Sequence, residues 1–416
     1  MNLFSGLRPR SLFHRLFFVT LLALLAGCES TPSLSPMTAS LSPENVLVQS
    51  SWREIDQALE EESSLDRWAD ALEGSVAYFA KKNPQSTFRF GSETVTALEM
   101  TRATQKLAKI ARLGNGKNFQ AYLKKHFRLF RSVGSDQKGD VLVTAYYEPL
   151  LYGSYTQSSR YQYPLYRLPD DLLKIDLSPW LPEMAKKKII GRFDGKKLTP
   201  YYNRQEIDFE HKLANKKLEL VWVDNLADVF FLQIQGSGRI QLDTGKVLRV
   251  GYHGANGHPY RSIGKILIDE GAIEREQMSL PALRKWLREN PSQQKRLFNA
   301  NPSYVFFRTL DGGPYGNIQV ALTPGRSIAT DHRLFPKGAA GLLKTTLPRF
   351  SADGQHIVDW QESFRFVVNQ DTGGAIRGAG RVDLFLGFGQ EAEQRAGVMK
   401  QSDSRLYFLA PVSNSD

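Results

Sequence analysis

Apolar residues recur every three to four positions between residues 51 and 133. The residues that carry this pattern are Trp68, Leu72, Val76, Phe79, Tyr122, Phe127 and Phe130. Such a spacing places apolar side chains along one side of an α-helix. The N-terminal part of the chain is therefore predicted to be mostly helical.

Beyond Gly139 the pattern changes to the alternation that is typical of β-strands. Apolar residues occupy positions 141, 143 and 145, and residues 218–223 are rich in apolar and β-branched side chains. Residues 239–242 and 247–250 flank the polar sequence Asp243-Thr-Gly-Lys. Two apolar runs around a short polar turn predict a β-hairpin.

A second helical segment is predicted from about Ser262 to Phe298, where Ser279 can cap a helix that has Pro281 in its first turn. Strands return after Asn301. They are predicted at residues 304–307, 318–322, 364–368, 382–386 and 406–409. Pro and Gly interrupt these runs at short intervals, which is typical of a compact β-barrel.

The N-terminus has the pattern of an export signal. Arg8, Arg10 and Arg15 precede an apolar run at residues 16–26 that has one polar interruption. A positively charged region followed by a short apolar one is typical of a signal peptide. The run of about 11 residues is too short to span roughly 30 Å of hydrocarbon as a helix. Residues 1–27 are therefore predicted to be a signal peptide.

The sequence Leu25-Ala26-Gly27-Cys28 resembles the bacterial lipobox, in which the cysteine is lipidated and begins the mature protein. Cys28 is the only cysteine in 416 residues, so no intrachain disulfide can form. The alternative is an ordinary cleaved signal peptide with an incidental cysteine. Because Glu29, and not Asp, follows the cysteine, the expected location is the periplasmic face of the outer membrane. Residues 28–50 are predicted to be a flexible tether.

The charge of the chain fits an anionic partner, and it fits a role in solubility alone equally well. Its formal net charge of +11 at pH 7 falls by three when residues 1–27, which hold three Arg and no acidic residue, are removed. A basic surface suits anionic lipid, nucleic acid or an acidic cell-wall polymer. Export argues against nucleic acid.

The densest polar stretch is glycine-rich and runs from Gln370 to Phe385. It contains Asp371 and Asp383, and a third aspartate, Asp331, precedes it. An Asp beside Gly usually forms a turn. Asp383 differs because it lies within an apolar strand pattern, where a carboxylate is costly unless it has a partner or a function.

Two copies of Asp-Thr-Gly, beginning at Asp243 and Asp371, also allow an aspartic protease, in which two carboxylates share a proton. The evidence against this interpretation is local. Asn369 and Gln370 stand where that motif prefers apolar residues, and the other copy fits a hairpin turn.

In these sequence contexts the three aspartates resemble those of the 3D domain. Six further segments are similar to the membrane-bound lytic murein transglycosylase A family and follow the family's order. They are Ala145-Tyr-Tyr-Glu-Pro, Tyr163-Pro-Leu-Tyr-Arg, Phe231-Leu-Gln-Ile-Gln-Gly-Ser-Gly-Arg, Tyr252-His-Gly-Ala-Asn-Gly-His-Pro-Tyr, Asn301-Pro-Ser-Tyr-Val-Phe-Phe and Leu322-Thr-Pro-Gly-Arg-Ser-Ile-Ala. Ala145 and His253 depart from the expected Gly and Ala.

The resemblance implies a mainly β fold with some helices. A double-psi β-barrel would be built from residues 51–145 and 301–416, with the 3D domain at about 303–410. A second β-barrel at residues 146–300 would be inserted, and the substrate groove would lie between the two. The implied substrate is the glycan strand of peptidoglycan.

The resemblance also implies a lytic transglycosylase that needs no cofactor or metal. Asp383 carries over as its single catalytic acid and base, which would require a raised pKa. Asp371 is expected to support it and Asp331 to have a structural role. The bond cleaved would join N-acetylmuramic acid to N-acetylglucosamine, and the product would be a 1,6-anhydromuramyl end.

Aromatic and amide side chains are natural sugar binders. The residues expected to bind substrate are Thr144, Tyr146, Tyr147, Gln233, Gln235, Ser237, Asn256, Tyr260 and Asp331. His253 and His258 have no third ligand nearby, and Gly236-Ser-Gly-Arg is too short for a dinucleotide-binding motif. The alternatives are a peptidoglycan-binding lipoprotein without turnover and, in third place, the protease. Proteins of a wall-remodelling complex are further candidate partners.

Overall fold

The computed structural model describes residues 41–56, 65–114, 116–184, 188–351 and 356–412. The predicted signal peptide, Cys28 and most of the predicted tether lie outside these residues. Within the described part of the chain, the helices are all too short or too polar to cross a membrane.

The helices fall into an N-terminal group, a central group and one C-terminal helix. They are α1 Asp66–Ala80, α2 Ala97–Ala111, α3 Lys117–His126, α4 Arg204–Asp208, α5 Leu226–Gln235, α6 Ile263–Asp269, α7 Leu280–Glu289, α8 Gln294–Ala300 and α9 Gln390–Val398, with short 3-10 helices at Trp52–Glu54, Pro182–Met184 and Pro291–Gln293. The central group includes the predicted helix start, since the hydroxyl of Ser279 accepts a hydrogen bond from the N–H of Ala282 and Pro281 lies in the first turn of α7.

The strands, in chain order, are β1 Leu47–Ser50, β2 Thr87–Phe90, β3 Glu93–Thr96, β4 Phe127–Ser132, β5 Val141–Glu148, β6 Leu150–Ser154, β7 Tyr163–Tyr166, β8 Leu173–Asp176, β9 Lys188–Asp194, β10 Lys197–Pro200, β11 Glu219–Val223, β12 Ser237–Leu242, β13 Val247–Ala255, β14 Val305–Leu310, β15 Ser327–Ala329, β16 Ala340–Phe350, β17 Ile357–Asp371, β18 Arg381–Phe388 and β19 Lys400–Pro411. They form two large sheets, a small sheet of β8, β9 and β10, and the hairpin β2–β3.

The first large sheet is a closed barrel of six strands. Its order is β19-β16-β17-β15-β18-β5, and β5 also pairs with β19, so the sheet closes on itself. The pairs β15–β17 and β5–β18 are parallel, and the other pairs in the barrel are antiparallel. The expectation of a mainly β protein built on a barrel is confirmed.

Strands β4 and β1 extend this barrel sheet at β19. The predicted tether of residues 28–50 therefore extends too far, because residues 47–50 pair with β4. The predicted helical pattern also extends too far, because α3 ends at His126 and both Phe127 and Phe130 lie in β4.

The N-terminal helices pack on the outside of the barrel through one apolar face. Trp68 of α1 is fully buried, and its ring lies 4.7 Å from the ring of Phe366 in β17. Its indole N–H donates to the backbone oxygen of Val367 at 3.1 Å. Burial of a large aromatic ring with its polar N–H satisfied is a strong stabilising contact. Helix α1 is thereby fixed against strand β17, which ends at Asp371.

The second large sheet has the order β14-β13-β12-β6-β11-β7. Its edges meet, since Arg167, which follows β7, forms a bridge with Phe307 of β14. The predicted hairpin is the antiparallel pair β12–β13. Because β14 pairs with β13, residues 305–310 belong to this second sheet, and the predicted boundary at residue 300 lies too early.

The predicted strand at residues 318–322 is wrong. This segment forms a turn, in which the N–H of Gly316 donates to the backbone oxygen of Val320 at 3.0 Å. Gln319 has a φ of 60°, a left-handed conformation that ends any extended run. The turn brings Asn317 beside the end of β17.

Candidate active site

Strand pairing places Asp371 and Asp383 on either side of β15. Ala329 of β15 is the register partner of Asp371 on β17 and of Asp383 on β18. Neighbouring strands lie about 4.8 Å apart, so the two aspartate backbones are separated by roughly 10 Å. The two carboxylates are therefore close enough to influence each other electrostatically without standing on adjacent strands.

Asp383 has one neutral side-chain donor. The hydroxyl of Thr144, its register partner on β5, donates to its Oδ1 at 2.8 Å. Burial raises the pKa of Asp383 to about 6, while Thr144 and the charge of Arg381 oppose the rise and the charge of Asp371 adds to it. The side chain is only partly exposed. A carboxyl group in this state can hold or release a proton near neutral pH.

Asp371 is held by donors from two directions. The hydroxyl of Tyr146 donates to its Oδ2 at 2.8 Å, and the N–H of Asn317 donates to its Oδ1 at 3.0 Å. Burial raises the pKa of Asp371, and these hydrogen bonds oppose the rise. Burial also raises the pKa of Tyr146 well above its usual range, so its hydroxyl stays protonated and acts as a donor.

A buried lysine lies behind Asp371. The ammonium group of Lys337 donates to Oδ1 of Asn369 at 2.9 Å, to the backbone oxygen and hydroxyl of Thr330 at 3.3 Å each, and to the backbone oxygen of Asp371. Burial lowers the pKa of Lys337 to about 7, although the charges of Asp371 and Asp331 oppose the fall. Sequence reasoning missed this residue, which joins the ends of β15 and β17.

Asp331 has very different surroundings. Arg333 donates to both of its carboxylate oxygens, at 2.9 and 2.7 Å, and the N–H of Gly378 donates to Oδ2 at 2.9 Å. Burial by itself would raise the pKa of Asp331, but these donors outweigh it and hold the pKa well below its usual range. Asp331 thus connects the turn after β15 to the glycine-rich loop, as a structural role requires.

A cavity of about 530 Å³ lies beside Asp371 and is lined by residues of both large sheets. Five of the predicted substrate-binding residues line it: Tyr146, Gln233, Gln235, Ser237 and Tyr260. Asp383 and Thr144 are not among the lining residues; they lie on β18 and β5, the two strands that follow β15 in the order of the sheet. A larger cavity of about 770 Å³ lies within the second sheet and its helices and has none of the three aspartates in its wall. We therefore place the site at the smaller cavity.

Besides Thr144, three predicted substrate-binding residues lie outside the wall of this cavity. Asp331 is fully buried. Tyr147 follows Tyr146 on β5 and points to the opposite face, as successive strand residues do, where its hydroxyl donates to Glu393 at 2.9 Å. Asn256 is buried and donates through its amide to the backbone oxygens of Tyr202 and Pro302, at 2.9 Å each. For these three, substrate contact stays a prediction that the cavity does not support.

The cavity wall also contains residues that the sequence did not single out. They are Arg204, Tyr252, Asn301, Ser303, Arg308, Tyr315, Asn317 and Arg377. Of these, Tyr252, Asn301, Ser303 and Arg377 belong to segments that were singled out beforehand, and none was predicted to be a site residue. Among the described residues, no group of three or more His, Cys, Asp or Glu is placed to hold a metal ion. Asp243 lies in the turn between β12 and β13, away from Asp371, which removes the carboxylate pair of a protease.

Comparison with known proteins assigns both halves of the molecule. The MltA specific insert domain matches residues 142–308, and the 3D domain matches residues 326–409, which include all three aspartates. The solved structure of the lytic transglycosylase LtgG of Burkholderia pseudomallei is 34% identical, with 88% of this chain and 96% of that chain covered and a TM-score of 0.54. The chain belongs to the membrane-bound lytic murein transglycosylase A family.

Other members of the family support the same assignment. The membrane-bound lytic murein transglycosylase A of Escherichia coli K12 is 34% identical over 267 residues, which is 64% of each chain. The match thus spans slightly less than two thirds of that relative. The structure of Escherichia coli MltA with bound chitohexaose is 25% identical, covers 88% of this chain and 94% of that chain, and gives a TM-score of 0.64.

Proposed function

We propose that this chain is a lytic transglycosylase that cleaves the β-1,4 bond between N-acetylmuramic acid and N-acetylglucosamine in peptidoglycan. The observation that carries the proposal is the state of Asp383, whose pKa burial raises to about 6 in a protein of this family. A general acid works best when its pKa is close to the operating pH. Asp383 meets that condition, and Asp331 does not.

The reaction uses Asp383 twice. Protonated Asp383 gives its proton to the glycosidic oxygen, the bond to the muramyl C1 breaks, and an oxocarbenium-like sugar develops. The ionised carboxylate then accepts the proton of the muramyl C6 hydroxyl as that oxygen attacks C1 of the same ring. The products are a 1,6-anhydromuramyl end and an N-acetylglucosamine end. Because the nucleophile belongs to the substrate, its high effective concentration replaces a second catalytic carboxylate.

Asp371 supports this chemistry without touching the transferred proton. Its negative charge raises the pKa of Asp383 and opposes ionisation of the acid. Tyr146 donates to the carboxylate of Asp371 and Lys337 donates to its backbone oxygen, and both contacts hold it in place. The glycan would run from the cavity, where Tyr252 and Tyr260 offer ring surfaces to the sugars, to the partly exposed carboxyl group of Asp383. The chitohexaose bound by the relative from Escherichia coli, a chain of N-acetylglucosamine, is of the same chemical class.

The enzyme would act at a membrane. The relatives are named membrane-bound, and the lipobox-like sequence before Cys28 provides the means of anchoring. We place the lipid on Cys28 and the protein at the periplasmic face of the outer membrane. Residues 29–46 would then connect the lipid to β1. The glycan strands of peptidoglycan are the proposed partner, and wall-remodelling proteins are further candidates.

Digestion of purified sacculi tests the activity. Release of anhydromuropeptides, identified by mass, is the expected result. Reducing-end muramic acid would indicate a hydrolase, and protein that binds sacculi without releasing a soluble product would indicate a non-catalytic binder. A soluble form that begins after Cys28 should cut isolated sacculi as well as the anchored protein, because the lipid sets only the location.

A further inference from the structure

One buried guanidinium organises part of the cavity wall. The side chain of Arg204 in α4 is 2% exposed, and it donates to the backbone oxygen of Asn301 at 3.1 Å and to that of Ser303 at 2.6 Å. It also donates to Oε1 of Gln233 in α5 at 2.5 Å. Asn301, Ser303 and Gln233 all line the cavity. Arg204 therefore joins α4, α5 and the connection between α8 and β14 in this wall.

The side chain of Arg204 is itself held in place by contacts on several sides. Its charge is balanced by Asp208, one helical turn later, at 3.3 Å. Its guanidinium lies over the ring of Phe230 at 4.7 Å and that of Tyr304 at 5.2 Å. A planar cation held between two rings and one carboxylate has little freedom to rotate. The amide oxygen of Gln233, which accepts a hydrogen bond from this guanidinium, is therefore also held in place.

Arg204 determines which end of the Gln233 amide faces it. A guanidinium has only donors, so it must meet the amide oxygen and not the amide nitrogen. The NH₂ group of Gln233 is thereby directed away from Arg204. Gln233 is 6% exposed, and its Nε2 has no hydrogen-bond partner among the described residues. A buried donor without a partner costs about 1–3 kcal/mol, which a ligand with a suitable acceptor would recover.

We infer that Gln233, oriented by Arg204, recognises the carbonyl oxygen of an N-acetyl group on the bound glycan. A carbonyl oxygen only accepts hydrogen bonds, so it matches a site that offers only a donor, whereas a sugar hydroxyl can be paired in many other ways. Gln233 touches the substrate in this scheme, and Arg204 is a positioning residue. The inference rests on the proposed function, because it takes the glycan as the occupant of the cavity.

The Gln233→Glu variant tests the recognition. Glutamate has nearly the same shape and keeps the contact with Arg204, but it replaces the NH₂ donor by an acceptor. Binding is measured by calorimetry with two probes, chitohexaose and the fully deacetylated glucosamine hexamer. Wild-type protein should prefer chitohexaose, and the variant should bind chitohexaose at least about tenfold more weakly. Gln277→Glu, which makes the same charge change at an exposed position, should bind both probes as the wild type does.

A neutral variant separates hydrogen bonding from charge. Gln233→Met removes the donor without adding a negative charge that would attract glucosamine, and it should also lose most of the preference for chitohexaose. An unchanged preference in a Gln233→Met protein whose melting temperature equals that of the wild type would overturn the inference, as would a wild type without any preference. Release of anhydromuropeptides from sacculi is measured in parallel, so a failure of the proposed activity is seen separately.

The positioning role of Arg204 has its own readout. Arg204→Lys keeps the charge beside Asp208 but cannot supply the planar fork of donors. With soluble glycan strands as substrate, KM should rise at least about fivefold while kcat changes less than twofold, because the wall is affected and Asp383 is not. A drop in kcat at unchanged KM would contradict a role in binding.

Discussion

Asp383 and Asp331 belong to the same matched domain, yet their surroundings have opposite effects on their protons. Asp331 is fully buried and has a pKa below the usual range, because Arg333 and the N–H of Gly378 donate to it. Asp383 is partly exposed and has a raised pKa, because burial is opposed mainly by one hydroxyl, that of Thr144. At Asp331 the charged and backbone donors outweigh burial, whereas at Asp383 burial outweighs its single hydroxyl donor and the charge of Arg381.

The largest effect should come from removing the proton that Asp383 carries. Asp383→Asn keeps the size of the side chain and an oxygen for Thr144, but it cannot act as acid or base. General acid–base catalysis typically contributes 10²–10⁴-fold, so release of anhydromuropeptides from sacculi should fall by about 10³-fold. Asp243→Asn, in the β12–β13 turn, is the matched control and should keep wild-type activity. Full activity in a folded Asp383→Asn protein would refute the assignment.

The corresponding change at Asp331 should affect stability. Asp331→Asn leaves Arg333 without its carboxylate and turns an amide NH₂ towards donors. Loss of one partner from a buried ion pair typically costs about 3–5 kcal/mol; the exposure of Arg333 should reduce this to about 2–3 kcal/mol. Denaturant unfolding of both proteins measures the difference.

The lowered pKa of Asp331 predicts how the difference in unfolding free energy between wild type and Asp331→Asn depends on pH. A group whose pKa is lower in the folded state stabilises the fold above its unfolded pKa of about 3.9 and loses that contribution as the pH falls through the folded value. The gap between wild type and Asp331→Asn should therefore be constant from about pH 5 to pH 7 and narrow in stronger acid. A gap that widened in acid would contradict the ion pair as its source.

The raised pKa of Asp383 predicts how activity depends on pH. In the proposed reaction protonated Asp383 is the form that acts first. On that basis kcat/KM should fall as the pH rises through about 6 and should approach a tenfold loss for each further pH unit. Initial rates on soluble glycan strands from about pH 4.5 to pH 8 measure this limb. Rates that stayed level across the range would show that ionisation of Asp383 does not limit the reaction.

The sequence was sufficient to predict secondary structure where the pattern of residues is local or periodic. Alternating apolar residues placed Asp383 within a strand, and a polar turn between two apolar runs placed the β12–β13 hairpin. The same alternation allows only one of Tyr146 and Tyr147 to face the cavity, but it does not say which, because that depends on how β5 packs between β18 and β19. The sequence also did not reveal that Gln319 has a left-handed backbone conformation, which makes residues 318–322 a turn where a strand was predicted.

The residues that the sequence missed have partners far away along the chain. Lys337 donates to the backbone of Asp371, 34 residues later, and Arg204 donates to Ser303, 99 residues later. Each is one basic residue among 54, without a local pattern to distinguish it. Their roles arise only when strand pairing and helix packing bring separate segments together, which composition and spacing do not determine.

The smallest effect should come from removing the hydroxyl of Thr144, which donates a hydrogen bond to Asp383. Thr144→Val keeps a β-branched side chain in β5 and removes the hydrogen bond of 2.8 Å to Oδ1 of Asp383. That bond stabilises the ionised carboxylate, so the pKa of Asp383 should rise by less than about one unit.

This change should move the alkaline limb of kcat/KM to higher pH and leave the rate at low pH nearly unchanged. The direct check is the full pH profile of Thr144→Val beside that of the wild type. Thr346→Val is the control, because the hydroxyl of Thr346 bonds to Gln401 and to neither aspartate. If Thr144 instead bound the glycan directly, kcat/KM would fall by a similar factor at every pH and the limb would stay in place. The direction of the shift therefore shows whether Thr144 acts through the proton of Asp383 or through the substrate.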